Sequence, residues 1–285
     1  MARSPCIIRA VPAFRRSIAQ FRDAGEKTAL VLTMGALHEG HLQLVQVARK
    51  RTRRVIVSIF VNPAQFAPHE DFASYPRSLV HDLKLLTGVD LVWAPAVEIM
   101  YPQGFATQVV PQGPAKVGLE DAFRPHFFVG VATVVTKLLI QCAPDIALFG
   151  EKDFQQLKVV TRLVQDLDLP LKIVGVPTVR EQDGLAMSSR NAYLTPAERA
   201  AAPTLYGVLR DCAARITDRE RIARVLDEGS RAIESAGFAL DYLEARHAET
   251  LQTVESIKDG PLRLLVAARL GRTRLIDNVA VPQRR

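Results

Sequence analysis

The chain has 285 residues, of which 48% are hydrophobic, and a formal net charge of +7 from 37 basic and 30 acidic residues. This length predicts one large domain or two unequal domains with a substantial buried core. No apolar run reaches the ~18 residues that a membrane span needs, and the N-terminal residues lack the apolar segment of a signal peptide. Cys6, Cys142 and Cys212 have neither metal nor redox spacing, so we expect reduced thiols in a cytoplasmic protein.

The basic excess is spread along the chain, and its densest run, residues 49–54, ends a predicted helix. Cations at a helix C-terminus complement the helix dipole. We therefore interpret this run as a solvated helix end and expect neither a nucleic-acid nor a membrane partner. A basic balance also suits an enzyme that handles anionic substrates.

Strands and helices alternate through the first part of the chain. Strands are predicted at residues 6–8, 28–33, 55–61, 91–94, 146–149 and 171–176, and helices at residues 11–24, 40–51, 78–86, 129–141 and 153–167. This alternation predicts an α/β fold with a Rossmann-like, doubly wound parallel sheet. In such a sheet we expect active residues at the carboxyl ends of the strands.

The pattern changes after residue 180. Thr195, Pro196 and Glu198 match the N-cap, N1 and N3 positions of a helix start. From there we predict a helix to about residue 214, another at 218–236, and strands at 240–245, 262–268 and 273–276. The chain is thus predicted to have a Rossmann-like domain at residues 1–179 and a smaller α+β domain at residues 180–285.

The most informative segment joins the second predicted strand to its helix. Free N–H groups and the helix dipole favour phosphate at such a junction, and glycine lets the backbone approach a ligand closely. Two histidines three residues apart can donate hydrogen bonds to phosphoryl oxygens as charge develops. This His-x-Gly-His pattern resembles the signature of nucleotidyl-transferring enzymes, which implies transfer of a nucleotidyl group to an acid or an alcohol. The segment comprises Met34, Gly35, Ala36, Leu37, His38, Glu39, Gly40 and His41.

Two further clusters carry groups that suit phosphate. One repeats the strand–glycine–helix arrangement after the fifth strand, where a lysine can contact phosphate and a carboxylate can accept from ribose hydroxyls; the alternative is an ordinary charged helix cap. The other places two hydroxyls beside a guanidinium, and its alternative is a polar surface loop. The clusters are Gly150, Glu151, Lys152 and Asp153, and Met187, Ser188, Ser189 and Arg190.

Amide side chains form the last cluster. Asn62 and Gln65 follow the third strand, and Gln155 and Gln156 lie early in the helix after Gly150. Amides recognise hydroxyl groups without introducing fixed charge, so they suit a hydroxylated substrate. For any single glutamine, a surface position is the alternative.

Several segments together resemble, in the family's order, the pantothenate synthetase (pantoate–β-alanine ligase) family: residues 34–41, 58–66, 150–157, 174–180, 183–191 and 275–278. The resemblance implies ligation of pantoate to β-alanine with ATP through a pantoyl-adenylate, with release of AMP and pyrophosphate. It also implies a need for Mg²⁺, and a cytoplasmic homodimer. Residues 1–179 would bind ATP and pantoate, and residues 180–285 would form a lid.

The family motifs also imply roles for individual residues. Residues 34–41, 150–153, 187–190 and Val179 would bind ATP, with His41 as the proton donor. Gln65 would contact both acid substrates and Gln156 the pantoate. On chemical grounds His38, His41, Lys152 and Arg190 are the donors we expect to stabilise charge on the phosphates. With no cluster of carboxylates suited to a tight metal site, we expect Mg²⁺ to be held mainly by ATP phosphates and water.

One segment departs from the family pattern. The family reads Arg-Pro-Gly-His-Phe-x-Gly-Val, whereas residues 124–131 read Arg-Pro-His-Phe-Phe-Val-Gly-Val. Without a gap, His126 replaces the family's glycine and Phe127 its histidine. A compensated deletion and insertion would instead keep His126 in the histidine's role. We predict the ungapped alignment, with no ligand contact from His126.

Two other functions remain possible at this point. A nucleotidyltransferase acting on another small acid or alcohol would leave the nucleotide on its product, whereas a ligase releases AMP. A synthetase-like domain retained for RNA binding would bind tRNA with a steep salt dependence.

Overall fold

A parallel sheet of six strands forms the first part of the chain, in the order β1-β4-β3-β2-β5-β6. The structure is a computed structural model that describes residues 5–67 and 70–283. The strands are β1 (Cys6–Ile8), β2 (Thr28–Thr33), β3 (Arg54–Ile59), β4 (Leu91–Trp93), β5 (Ile146–Gly150) and β6 (Lys172–Val176). The helices are α1 (Val11–Asp23), α2 (Glu39–Arg51), α3 (Leu79–Leu85), α4 (Val97–Met100), α5 (Glu120–Phe123), α6 (Phe127–Cys142) and α7 (Phe154–Asp166).

The strand order reverses between β2 and β5, which pair directly through Val31 and Leu148. From β2 the chain proceeds to β3 and β4 on one side, and from β5 to β6 on the other. Such a switch point opens a crevice between the two loops that leave the carboxyl ends of these strands. The loops after β2 and β5 are the two glycine-containing motifs singled out in the sequence.

Both faces of the parallel sheet are covered. Leu30 and Ile56 belong to one buried cluster, whereas Val31 and Val57 belong to another. The strand residues alternate between these clusters, so the strands read as continuous apolar runs. α6 is the most buried helix of this domain, and its partners include α1 and α7. The predicted doubly wound fold is confirmed.

A smaller antiparallel sheet, in the order β7-β8-β9, follows with its own helices and its own buried cluster. Its strands are β7 (Ala239–His247), β8 (Leu262–Leu270) and β9 (Thr273–Ala280), and its helices are α8 (Pro196–Ala201), α9 (Thr204–Thr217) and α10 (Ile222–Ser235). Leu251 and Leu265 pack in the core of the first domain instead. The two parts of the chain are therefore joined by apolar packing as well as by the connecting segment.

The predicted helix boundaries after residue 195 need two corrections. The capping box at Thr195 is present, since its backbone N–H donates to Glu198 at 2.8 Å. The helix nevertheless ends at Ala201, because Pro203 has no N–H for an α-helical bond, and a new helix begins after it. The next helix begins at Ile222 rather than residue 218, after a turn in which Arg219 has a φ of +69°.

The basic run at residues 49–54 is the end of α2 and the beginning of β3. Arg54 pairs with Glu26 at 2.6 Å and with Asp90 at 2.7 Å, and its guanidinium lies 4.7 Å from the centre of the Phe21 ring. Arg49 donates to the carbonyl of Thr87. Part of this charge is thus used inside the domain. Within residues 5–67 and 70–283, no helix combines the length and apolarity needed to cross a bilayer.

Candidate active site

A cavity of about 690 Å³ lies at the switch point, between the two parts of the chain. The loops after β2, β3 and β5 form one wall, and α6 lines its apolar part. The segment after β6 and the β8–β9 hairpin also line it. Motifs that are far apart in sequence therefore share one cavity.

Backbone hydrogen bonds orient the two histidines at the start of α2. The Nδ1 atom of His38 accepts from the N–H of Gly40 at 3.1 Å, and that of His41 accepts from the N–H of His38 at 3.3 Å. Their ring centres are 4.1 Å apart. Because Nδ1 is an acceptor in each ring, the proton of a neutral imidazole must be on Nε2. Each ring therefore carries one defined donor.

Burial keeps both imidazoles neutral. Loss of hydration, and then the nearby charge of Lys152, lower the pKa of His38 to about 4. Loss of hydration, and then His38 and Lys152, lower the pKa of His41 to about 3. At neutral pH these side chains are hydrogen-bond donors rather than cationic acids. They can stabilise developing charge on a phosphoryl group without themselves changing charge.

Most of the residues predicted to bind the nucleotide line the cavity: Met34, His38, Gly40, His41, Gly150, Lys152, Asp153, Val179, Met187, Ser188, Ser189 and Arg190. Five others do not line it: Gly35, Ala36, Leu37, Glu39 and Glu151. Glu39 is exposed, whereas Glu151 pairs with Arg263 of the smaller sheet at 3.2 Å. The ATP role of all these residues stays a prediction.

Two of the predicted phosphate ligands already have partners from the loop after β3. Arg190 forms a two-bond ion pair with Asp71, at 3.0 and 2.9 Å. The hydroxyl of Ser189 lies 3.1 Å from that of Tyr75. By contrast, the ammonium group of Lys152 is 4.0 Å from the carboxylate of its sequence neighbour Asp153. Arg190 is therefore already paired closely with a carboxylate, whereas Lys152 has only a distant one.

The four amide side chains differ in their free hydrogen-bonding capacity. Gln155 is buried, and its amide bonds the backbone of Glu120 and of Pro114 and the carboxylate of Asp121, all at 2.9 Å. Gln156 lines the cavity, and the described structure shows no hydrogen bond of its amide. Both glutamines line the cavity, but only the amide of Gln156 is without a protein partner in the described structure. This difference agrees with the family resemblance, which selected Gln156, and its contact with pantoate stays a prediction.

Asn62 is 1% exposed, and its amide is fully engaged. Its Nδ2 donates to the Oε1 of Gln65 at 3.1 Å and to the carbonyl of Gly130 at 3.2 Å, while its Oδ1 accepts from Tyr101 at 2.7 Å. Gln65 is thereby oriented with its Nε2 toward Met34, at 3.0 Å from Sδ. Asn62 also lines the cavity, and its bond to Gln65 orients that amide. Its contact with substrate stays a prediction.

An acidic and basic network at the domain junction was missed by the sequence reasoning. Glu120 is 6% exposed and accepts two bonds from Arg274, at 2.7 and 2.8 Å, and one from Tyr242 at 2.8 Å. Arg124 pairs with Glu70 at 2.6 Å. These partners are distant in sequence, and none lies in a motif whose spacing indicates pairing. The contacts of Glu120 connect the first part of the chain to the smaller sheet beside the cavity, whereas the pair of Arg124 with Glu70 lies within the first part.

Residues 126 and 127, in the segment that departs from the family pattern, differ in their position relative to the cavity. His126 is exposed and does not line the cavity, whereas Phe127 is 9% exposed and does. The guanidinium of Arg124 lies 3.9 Å from the centre of the Phe127 ring. This placement agrees with the ungapped alignment, although the ligand contacts themselves stay a prediction.

The chain was compared with known proteins by sequence and by fold. The sequence profile described as pantoate-beta-alanine ligase matches residues 6–280. The chain belongs to this family. A pantothenate synthetase from Rhodopseudomonas palustris is 60% identical over 283 residues, covering 99% of this chain and 100% of the relative. Pantothenate synthetase 2 from Bradyrhizobium diazoefficiens is 62% identical with the same coverage.

Solved structures of the ligase family have the same fold. Pantothenate synthetase from Thermus thermophilus has a TM-score of 0.92 and 46% identity, covering 97% of this chain and 99% of that one. A pantoate-beta-alanine ligase from Francisella tularensis, complexed with beta-gamma ATP and beta-alanine, has a TM-score of 0.82 and 34% identity, with 97% coverage of both chains. The predicted family and enzyme class are confirmed, and the nucleotidyltransferase alternative is not favoured.

Proposed function

We propose that this chain ligates pantoate to β-alanine at the expense of ATP, forming pantothenate, AMP and pyrophosphate through a pantoyl-adenylate. One observation carries the proposal. The neutral donors His38 and His41, together with Lys152, line the same cavity as apolar side chains of α6 and the amides of Gln65 and Gln156. Phosphate chemistry and recognition of a hydroxylated acid are therefore combined in one site.

In the first step, a pantoate carboxylate oxygen attacks the α-phosphorus of ATP and pyrophosphate leaves. The Gln65 and Gln156 amides orient pantoate through its hydroxyls. This holds the carboxylate in line with the α-phosphorus and so lowers the barrier to attack. His38, His41 and Lys152 stabilise the charge that develops on the phosphoryl oxygens and the leaving group. Ser188, Ser189 and Arg190 contribute further donors once Arg190 exchanges Asp71 for phosphate.

In the second step, the amine of β-alanine attacks the acyl carbon of the adenylate and AMP leaves. No acyl-enzyme is needed, because AMP is already a good leaving group. Of the cysteines, Cys142 and Cys212 are buried, and burial raises the pKa of both thiols. Neither is thereby suited to act as a nucleophile.

The residues fit a magnesium ion that arrives with ATP. Among residues 5–67 and 70–283, no group of three His, Cys, Asp or Glu side chains is arranged to hold a metal. Glu70, Asp71 and Glu120 line the cavity but each pairs with an arginine. Asp153 has the weakest pairing and the freest carboxylate. We propose that Mg²⁺ is held mainly by phosphate oxygens and water, where it neutralises phosphate charge.

The remaining family properties are also part of the proposal. We propose a cytoplasmic homodimer, with residues 1–179 as the ATP- and pantoate-binding domain and residues 180–285 as a lid. The ion pair of Arg190 with Asp71 supports the lid, since it joins the two parts of the chain and both residues line the cavity. Analytical ultracentrifugation tests the dimer, because a monomer at micromolar concentration would contradict it.

The reaction is tested by incubating the protein with ATP, Mg²⁺, pantoate and β-alanine. We expect AMP, pyrophosphate and an amide product. Pantoate alone should support exchange of labelled pyrophosphate into ATP, because the adenylate forms before β-alanine reacts. Exchange that requires β-alanine would contradict the two-step order. A product that retains the nucleotide would instead support the nucleotidyltransferase.

A further inference from the structure

A buried carboxylate holds the loop that leads into His38. Asp82, on α3, is 1% exposed. Its Oδ2 accepts from the N–H of Ala36 at 3.1 Å, and its Oδ1 accepts from the N–H of Leu37 at 2.9 Å. Within residues 5–67 and 70–283, no Lys, Arg or His forms an ion pair with this carboxylate. Both oxygens are thus committed to backbone of the β2–α2 loop.

The conformation of that loop requires such support. Gly35 has a φ of +80° and Ala36 a φ of +51°, so two successive residues are left-handed. For a residue with a side chain, this conformation costs on the order of 1–3 kcal/mol and persists only where the surroundings impose it. A carboxylate that accepts from the N–H groups of two adjacent residues fixes the direction of both peptides.

The supported loop sets where the catalytic donors lie. Leu37 precedes His38, the N-cap of α2, and His41 is bonded to the backbone of His38. A change in the loop would therefore move both rings together. Residues 35–37 do not line the cavity, although Met34 and His38 on either side of them do. We infer that these three residues affect the site by setting the position of His38 rather than by contact with a ligand.

We propose that Asp82 is a positioning residue for the adenylation step, acting through the backbone of Ala36 and Leu37 on the placement of His38 and His41. The inference rests on the proposed function for its kinetic consequence. Asp82 itself does not line the cavity, so it touches no substrate. Its burial without a cation is costly and is compensated by these backbone bonds.

Asp82→Asn is the direct test. Asparagine keeps the volume but has one oxygen, so it can accept from one of the two N–H groups and must face the other with its own N–H. We expect kcat for pantoate-dependent pyrophosphate exchange to fall tenfold or more, with KM for ATP and pantoate changed less than threefold. Asp90→Asn is the control. It removes a carboxylate that accepts from the N–H of Val55 at 2.8 Å and pairs with Arg54, at the amino ends of the strands and so away from the cavity.

A second variant disturbs the same loop without removing the carboxylate. A methyl group at Gly35 would lie 3.0 Å from Oδ2 of Asp82 and 3.2 Å from Cγ2 of Ile59, against protein atoms rather than in the cavity. We expect Gly35→Ala to lose kcat as Asp82→Asn does. The double variant should lose less than the product of the two separate losses, because both act through one loop. If Asp82→Asn does not fold, Gly35→Ala alone decides.

Histidine titration by NMR gives a readout that does not depend on activity. We expect both imidazoles to titrate well below 6.5 in the unaltered protein and in Asp90→Asn, and to shift toward 6.5 in Asp82→Asn, as water reaches the loosened loop. Folded variants that keep both kcat and the histidine pKa would overturn the positioning role. If the unaltered protein shows no exchange while the titration behaves as expected, the proposed function fails and the positioning role stands.

Discussion

The two segments predicted to bind phosphate, the β2–α2 loop and residues 187–190, are held in place by different contacts. The β2–α2 loop is held within its own domain, by Asp82 and by the backbone bonds of His38 and His41. Residues 187–190 are held from outside, because Arg190 and Ser189 bond Asp71 and Tyr75 of the first domain. Under the proposed function, the first segment would meet phosphate already preorganised, whereas Arg190 in the second would have to exchange Asp71 for phosphate. Donors of the first kind contribute to rate, and those of the second kind couple binding to closure.

The largest effect should follow loss of a preorganised donor. His41→Ala and Lys152→Ala should each lower the rate of pantoate-dependent pyrophosphate exchange by about 10²–10³-fold, the typical loss for one such donor. Both side chains line the cavity, so we expect both variants to fold, with some decrease in the thermal midpoint of His41→Ala because its ring accepts from the N–H of His38. A folded variant with near-normal exchange would remove that residue from the catalytic set.

The neighbouring residues Gln155 and Gln156 allow a paired test of which side chain binds pantoate. Gln156→Ala should raise KM for pantoate tenfold or more with little loss of stability, since its amide is free for the substrate. Gln155→Ala should do the reverse, because its buried bonds hold Glu120, Pro114 and Asp121. Losing them leaves unsatisfied groups, each costing about 1–3 kcal/mol. KM values and thermal midpoints of both variants, measured side by side, check the assignment; equal effects would contradict it.

If phosphate displaces Asp71 from Arg190, removing the Asp71 carboxylate should strengthen the binding of ATP rather than weaken it. Asp71→Asn should lower KM for ATP about two- to fivefold, because a partly exposed ion pair contributes up to about 1 kcal/mol that ATP no longer has to replace. Asp183→Asn is the control, since it removes a carboxylate from Arg199 outside the cavity. Amides of residues 187–190 should gain hydrogen-exchange protection with ATP. An unchanged KM would show that Asp71 does not compete.

The neutral histidines predict a flat pH response near neutrality. Their pKa values, about 4 and about 3, lie below the 6.5 of a free imidazole. Exchange should therefore not fall between pH 8 and pH 5 through these groups, and should fall as pH approaches 4. The unfolded chain binds protons at 6.5 and the folded one does not, so the contribution of these groups to stability decreases as pH falls below 6.5. A kinetic transition near pH 6.5 that is lost in His41→Ala would contradict the burial.

Sequence patterns predicted the fold and the motifs more fully than the contacts that support them. Alternating apolar strands and helices give the doubly wound sheet, and local spacing gives His38, His41 and the helix start at Thr195. Asp82 is a single acidic residue on a short helix, and its partners are 45 and 46 residues away. The pairing of Arg190 with Asp71 spans 119 residues. Such contacts depend on how helices and strands pack together, and the local spacing of residues in the sequence does not indicate this.

The smallest effect is expected in residues 124–131, where the chain departs from the family pattern. His126 is exposed outside the cavity, so His126→Ala should keep kcat/KM within threefold. Phe127→His should cost more, because it replaces an apolar ring that is 9% exposed and lies beneath the Arg124 guanidinium. Side-by-side turnover of the two variants is the measurement. A tenfold loss in His126→Ala, about 1.4 kcal/mol of transition-state stabilisation, would mean that the gapped alignment is right and that His126 moves into the site with substrate.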